Sequence, residues 1–298
     1  MNYLITGGTG LIGQGVIAQL RALNMGITVL TRDTAKAKKT LGANIHFIND
    51  LSTESLNNID VVLNLLGEPI ADKRWSTKQK NKICQSRWQV TQKLVDLIKQ
   101  TENPPSTFIS GSAIGIYGRQ NKQPISEGFD DYYQEFTHEV CSKWENIALS
   151  ATSNKTRVVV IRTGIVLAKN GGALSKMLLP FTLGLGGKLG DGKQIMSWIH
   201  YDDMIAAILH ISKTKELQGA VNLTAPYSTT NEKFSKSLAL QLNRPCIFTT
   251  PAWALKIILG EMSALLLYGQ NVIPVKLVDS GYRFTYLTIE DTLADLLK

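Results

Sequence analysis

The 298-residue sequence predicts an α/β fold: a doubly wound parallel sheet with a small mixed cap supplied by the C-terminal part. Three observations predict it. The chain opens MNYLITGGTGLIGQG, an apolar run that breaks into glycines and resumes as an amphipathic helix. Short β-type runs then alternate with helical stretches as far as Arg162, the pattern of parallel βαβ units. Beyond Arg162 the alternation loosens through a glycine-rich stretch from Leu183 to Gly192. The later segments are expected to cover the carboxyl edge of the sheet, where open α/β sheets bind ligands.

Taken in order, strands are predicted near Tyr3 to Thr6, Thr28 to Thr31, His46 to Ile48, Val61 to Leu65, Thr107 to Ser110 and Val158 to Arg162. The first helix is predicted over Leu11 to Leu23, because Leu11, Ile12, Val16, Leu20 and Leu23 recur close to helical spacing and Gly26 marks the next turn. A longer helix runs from Lys78 to Lys99, with Ile83, Val90, Leu94, Leu97 and Ile98 on its buried side, and stops before Pro104 and Pro105. Further helices are predicted over Phe136 to Ser153 and Asp202 to Ile211, the latter capped by Asp202 or Asp203.

Composition narrows the class. Apolar residues make up 44% of the chain, enough to bury a sizeable core. The longest apolar stretches, such as Leu265 to Tyr268, fall far short of the roughly 20 residues of a membrane-spanning helix. The start lacks the basic residues and cleavage site of a signal peptide, so a cytoplasmic address is expected. Cys84, Cys141 and Cys246 lie far apart, which argues against a disulfide framework or a Cys-x-x-Cys metal site. The net charge of +8 suits anionic ligands, but the lysines are not interleaved with aromatics as in a nucleic-acid surface. No membrane or nucleic-acid partner is expected.

Thr6-Gly7-Gly8-Thr9-Gly10-Leu11-Ile12-Gly13 places glycines at 7, 10 and 13 directly after a strand and before a helix. Gly7 suits the tight turn, Gly10 lets backbone approach a pyrophosphate, and Gly13 allows close packing of helix on strand. The N–H groups of Thr9 to Ile12 would face the phosphates. At the end of the second strand stands Arg32, followed by Lys36, Lys38 and Lys39, which favours the 2′-phosphate of NADP(H). Asp33 next to it keeps NAD(H) as the alternative. The expected division is a Rossmann-like core over 1–165, with returning segments from about 195–225, and a cap and substrate region over 166–298.

These residues resemble an extended short-chain dehydrogenase/reductase, the class that includes nucleotide-sugar epimerases. Further segments narrow the likeness: Asn64-Leu65-Leu66-Gly67-Glu68-Pro69-Ile70, Arg74-Trp75, Ser86-Arg87, Ser112-Ala113 with Tyr117-Gly118, Trp144-Glu145, Arg162-Thr163-Gly164-Ile165 and Ser197-Trp198-Ile199-His200 resemble the YfcH-like epimerase family. The tail, with Leu259-Gly260-Glu261, Gly269-Gln270 and Gly281-Tyr282-Arg283-Phe284, is similar to the C-terminal domain of unknown function carried by these proteins, here 250–298. The resemblance implies that Asp50 and Leu51 flank the adenine and that Leu65, Gly67 and Glu68 pass beneath the ribose and nicotinamide. It also implies that Arg74 or Arg87 reaches a phosphate or ribose, and that Ile165 lines the nicotinamide. Pairing through the long helices, common in the wider family, implies a homodimer.

One departure stands out. The Tyr-x-x-x-Lys pair of such enzymes, in which lysine lowers the tyrosine pKa for proton transfer, is missing: Thr137 and Cys141 stand at its positions. Ser112, Tyr117 and His200 remain as candidate catalytic residues. Two functions follow as expectations: an NADP(H)-dependent oxidoreductase or sugar-nucleotide-type epimerase acting on a small molecule through an altered acid/base set, or a non-catalytic NADP(H)-binding sensor or interaction module.

Overall fold

The computed structural model describes residues 1–298. Seven strands form the central sheet: β1 (Asn2–Thr6), β2 (Gly26–Leu30), β3 (His46–Ile48), β4 (Val61–Asn64), β5 (Thr107–Ala113), β6 (Arg157–Thr163) and β7 (Gly219–Leu223). Their spatial order is β7-β6-β5-β4-β1-β2-β3, and every pairing is parallel. The six predicted strands are present, and the seventh comes from within 195–225. The order reverses between β1 and β4, so the crevice beyond their carboxyl ends is the switch point where such sheets bind ligands.

Strand alternation sorts the core into two layers. Tyr3 and Ile5 of β1, Val61 and Leu63 of β4, and Val159 and Ile161 of β6 face one side. There they meet helices α1 (Leu11–Ala22) and α6 (Tyr201–Lys213) through Val16, Ile17, Leu20, Met204 and Ile208. Leu4, Val62, Val158 and Val160 face the other side, against Leu94, Val95 and Ile98 of α3 (Thr77–Gln100) and Ala148 of α4 (Phe136–Leu149). Full burial of each such side chain contributes about 1.5–3 kcal/mol. Arg162 follows Val158 and Val160 in register, so its side chain emerges on the α4 side. Helix α2 (Thr34–Leu41) begins at Asp33, whose carboxylate accepts the Lys36 N–H at 2.9 Å.

The cap has a core of its own, built from Leu167, Trp198, Phe234, Leu238, Ile289 and Leu293 among others. It joins α5 (Gly172–Thr182), α7 (Asn231–Gln241) and the helix Ile289–Leu296. Short ladders stitch it together: Ile165–Ala168 with Trp198–His200, Gly187–Leu189 with Phe248–Thr250, and Pro124–Ile125 with Asn271–Val272, all parallel. The last 50 residues are therefore tied to the middle of the chain by backbone pairing. No helix is long and apolar enough to cross a membrane.

Candidate functional site

The glycine loop is shaped by what cannot fit there. Gly7 has φ +72°, and a Cβ on it would lie 2.7 Å from the Leu65 carbonyl carbon. A Cβ on Gly13 would overlap the Gly7 carbonyl oxygen and lie 2.7 Å from Gly8 Cα. Gly10 is the N-cap of α1 and provides no side-chain cap, and the first turn carries no acidic residue. The first helical bond runs from Gln14 N–H to Gly10 carbonyl at 2.9 Å, so the N–H groups of Leu11, Ile12 and Gly13 have no intramolecular acceptor. An uncapped helix start with three free donors, and no carboxylate in the first turn, suits an anion. Beneath it, Thr6 Oγ1 donates to Asn64 Oδ1 (2.6 Å), while Asn64 Nδ2 and Trp144 Nε1 both donate to Thr91 Oγ1, at 2.8 and 2.9 Å. This buried chain fixes the ends of β1 and β4 to α3 and α4.

Arg32, just past β2, is exposed and forms no ion pair, whereas Asp33 is committed to capping α2. Asp50 is exposed; its carboxylate takes the Leu51 N–H and pairs with Lys93, and hydrogen bonding from Lys93 and then Leu51 holds it below the usual carboxylate range. Leu51 is buried under α3. Leu65 continues β4, its N–H bonded to the Thr6 carbonyl. Arg87 packs over Gly67, its Nη1 donating to the Glu68 and Ile83 carbonyls at 3.0 Å, with Trp144 beneath the guanidinium. The Glu68 side chain turns away to Lys82 at 2.9 Å. Arg87 thus braces the loop after β4. Arg74 is exposed and lies against Gly260 in the C-terminal segment.

A cavity of about 770 Å³ opens at the carboxyl ends of β5 and β6. Ala113, Gly164 and Ile165 form its floor, Thr137 and Cys141 of α4 one wall, Met177 of α5 and Met196 another, and Leu265, Leu266 and Gln270 its cover. Gly172, also in the wall, sits against Leu11: a Cβ there would lie 3.4 Å from the Leu11 side chain. The cavity therefore adjoins the glycine loop, and Ile165, the residue expected to line the nicotinamide, is part of its lining.

The three candidate catalytic residues do not line it. Ser112 Oγ donates to Glu145 Oε1 at 2.6 Å. Glu145 in turn forms a bidentate ion pair with Arg162 (Nε to Oε1 3.0 Å, Nη2 to Oε2 2.8 Å) in which both residues are 5% exposed. Tyr117 is fully buried; it accepts from Arg162 Nη1 at 2.9 Å and donates to Asn222 Oδ1 at 2.7 Å. Burial pushes its phenol up to about 12, against the opposing pull of Arg162. A proton held that tightly, and already hydrogen-bonded, is a structural one. The network continues through Asn222 Nδ2 to the Ile273 carbonyl, at 3.0 Å, and so clamps the C-terminal segment.

His200 belongs to a different joint. It is the N-cap of α6, its Nδ1 accepting the Asp202 N–H at 3.0 Å, and its ring stacks on Tyr286 with centroids 3.7 Å apart. Asp203, which the sequence offered as a cap, instead accepts from the Thr285 and Tyr286 N–H groups at 2.9 Å and from Tyr282 Oη at 3.0 Å. The motif Gly281-Tyr282-Arg283-Phe284 is thus the strap that fastens the tail to α6. Burial lowers the His200 pKa, opposed by Asp202, Asp295 and Asp203. The unfolded chain, with a histidine near 6.5, then binds a proton that the folded chain refuses. Stability is complete above about pH 6.5 and falls as the pH drops from there to the lower folded pKa. Urea melts at pH 7 and pH 5.5 should show this loss, and His200→Asn should reduce it. An equal loss in both proteins would remove His200 as its source.

Sequence reasoning did not foresee the Glu145–Arg162 pair, although an arginine ending the buried run Val158-Val159-Val160-Ile161 signals that a carboxylate must meet it. A cap over the carboxyl edge was expected, but not that Leu265 to Gln270 would be the part of it that lines the cavity.

Comparison with known proteins agrees with this architecture. The NAD dependent epimerase/dehydratase family model matches residues 3–223, and the domain of unknown function DUF1731 matches residues 250–296. An epimerase family protein of Staphylococcus saprophyticus is 36% identical over 296 residues, covering 99% of each chain. One from Staphylococcus aureus is 36% identical over 302 residues with the same coverage. Among solved structures, the human epimerase family protein SDR39U1, crystallised with NADPH, superimposes with TM-score 0.88 and 29% identity, covering 100% of this chain and 99% of that one. A UDP-glucuronic acid 4-epimerase from Bacillus cereus, at 18% identity and TM-score 0.78, covers 100% of this chain and 96% of its own and shares the fold. With its Rossmann-like sheet, glycine loop and C-terminal module, the chain belongs to the NAD-dependent epimerase/dehydratase family.

Proposed function

We propose that the protein is an NADP(H)-dependent oxidoreductase of the short-chain dehydrogenase type, with an altered active site lacking Tyr-x-x-x-Lys. The observation that carries this reading is the charge arrangement at the ends of β1 and β2: free helix N–H donors, an unpaired Arg32, and an Asp33 already spent as a helix cap. A 2′-hydroxyl would ask for that carboxylate, whereas a 2′-phosphate asks for the guanidinium. The NADPH held by the human relative supports the same choice. Bound along this edge, the cofactor supplies two-electron redox chemistry at C4 of the nicotinamide.

The chain's own groups then have limited roles. Ile165, in the cavity lining, would pack against the nicotinamide. Burial, with Glu145 adding, pushes the Cys141 thiol up to about 12, so it stays protonated. Thr137 is the cavity-lining hydroxyl at the position of the missing tyrosine; its proton goes to Glu135 Oε1 at 3.2 Å, so it is left only as an acceptor for a substrate hydroxyl. Titration with NADPH and NADH tests the cofactor choice. Arg32→Ala should weaken NADPH by about 10- to 100-fold, the scale of one charge-assisted contact, and leave NADH nearly unchanged. Equal losses would remove the 2′-phosphate assignment.

One observation favours a second reading, a non-catalytic NADP(H)-binding sensor: the Ser112 and Tyr117 hydroxyls are both spent inside the protein. Oxidation of bound NADPH accelerated by members of a carbonyl panel would favour the oxidoreductase. Tight binding with unchanged oxidation across the panel would favour the sensor.

A further inference from the structure

We infer that the cavity takes a largely apolar, uncharged molecule and not a sugar nucleotide; the inference rests on the reading of that cavity as the substrate site. Most of its polar side chains are turned into its own wall. Gln270 Nε2 donates to the Ile114 carbonyl (3.1 Å), Ser263 Oγ to the Gly260 carbonyl (2.6 Å), and Ser197 Oγ to the Gln270 carbonyl (2.7 Å). Gln194 Nε2 is held by the Leu189 and Leu266 carbonyls at 3.0 and 2.8 Å, which fixes the amide orientation and leaves its Oε1 as a single buried acceptor, and Asn231 Oδ1 accepts the Leu189 N–H at 2.8 Å. What faces the space is Ile114, Phe136, Ile165, Met177, Met196 and Leu265.

Charge is missing in the same way. Of the four charged residues in the lining, Arg119 is paired with Glu135 through two bonds of 3.0 and 3.1 Å, and its guanidinium sits over the Tyr133 and Tyr268 rings. Glu261 is paired with Lys80. Only Lys256 is without a carboxylate partner, and it is exposed, at the rim. A nucleoside diphosphate brings at least two negative charges that must be matched by cations or N–H donors when they leave water. No buried, unpaired cation is available here. The glycine-loop donors that could serve are those assigned to the cofactor. An apolar molecule meets no such cost, and its burial is favoured by the apolar wall residues named above. With the nicotinamide occupying the Ile165 end, the remaining space suits a ring system or short alkyl chain.

The test uses the full chain with Nile red, a neutral apolar dye, and UDP-glucose as rival. One dye per chain should bind, and UDP-glucose at millimolar concentration should not displace it. Met177→Glu and Leu265→Glu, each placing a carboxylate in the wall, should weaken the dye by about tenfold or more with unchanged thermal melting. Displacement by UDP-glucose, absence of dye binding, or wild-type dye affinity in the folded variants would each overturn the inference. If one variant melts early the other decides, and if both do, the displacement experiment on the unaltered chain decides. NADPH binding is read separately from nicotinamide fluorescence. Dye binding without NADPH binding therefore sinks only the cofactor reading, and NADPH binding without dye binding sinks only this one.

Discussion

Replacing Glu145 by alanine is expected to destabilise the fold by about 3–5 kcal/mol, because it strands a buried guanidinium without its counter-charge. Arg162 would keep only Tyr117 Oη at 2.9 Å and the Glu127 carbonyl at 3.4 Å as acceptors. Ser112 would lose its acceptor as well. The pair holds β5, β6 and α4 together directly beneath the cavity, so the same variant should loosen the Ala113 and Cys141 walls. Urea denaturation measures the loss. The double change Glu145→Leu with Arg162→Met should recover most of it, since a well-packed apolar pair replaces a buried ion pair at little net cost. A loss below about 1 kcal/mol in the single variant would show that water reaches Arg162 and that the network is not closed.

Gly13→Val should abolish nucleotide binding, with an affinity loss of about 100-fold or more, and lower stability by about 1–3 kcal/mol through overpacking. The clash is with backbone: the Gly7 carbonyl and Gly8 Cα have no rotamer to yield. Relief requires the loop to move away from α1, which withdraws the free N–H groups of Leu11 and Ile12 from their common focus. Gly10→Ala is the control, because its Cβ would meet only the Gly7 carbonyl oxygen at 3.2 Å. It should retain the fold and bind more weakly only where the ligand itself needs the space. If Gly13→Val binds NADPH like the unaltered chain, the loop is not the pyrophosphate cradle.

The placement of the three catalytic candidates shows how far local patterns reach. Tyr117 follows Ser112 at nearly the spacing of the resembled family, yet a short helical turn over Ile114–Tyr117 swings its ring into the core toward Asn222. His200 is a strong acid/base type at the end of a strand, but the next residue starts α6 and the ring becomes its cap. The tyrosine's outcome depends on Asn222, a distant segment, whereas the histidine's cap bond is local, to the Asp202 N–H, and only its stacking on Tyr286 comes from far along the chain. No window of sequence around the tyrosine contains that information, and none around the histidine contains its stacking partner.

Within the sequence itself lay everything that depends on short-range pattern: the alternation that builds the sheet, the glycines whose missing Cβ atoms permit the loop, the Arg32 and Asp33 contrast at the end of β2, and the missing Tyr-x-x-x-Lys. These are set by sterics, period and charge over a few residues, which is why they can be read without coordinates. Only the tertiary structure decided which polar groups are spent and which are free. It joined Glu145 to Arg162, fastened the tail to Asp203, and made Leu265 to Gln270 the part of the expected cap that lines the cavity. The reason is physical: a buried polar group must find a partner, and which partner it finds is set by packing between distant segments, not by its neighbours in the chain.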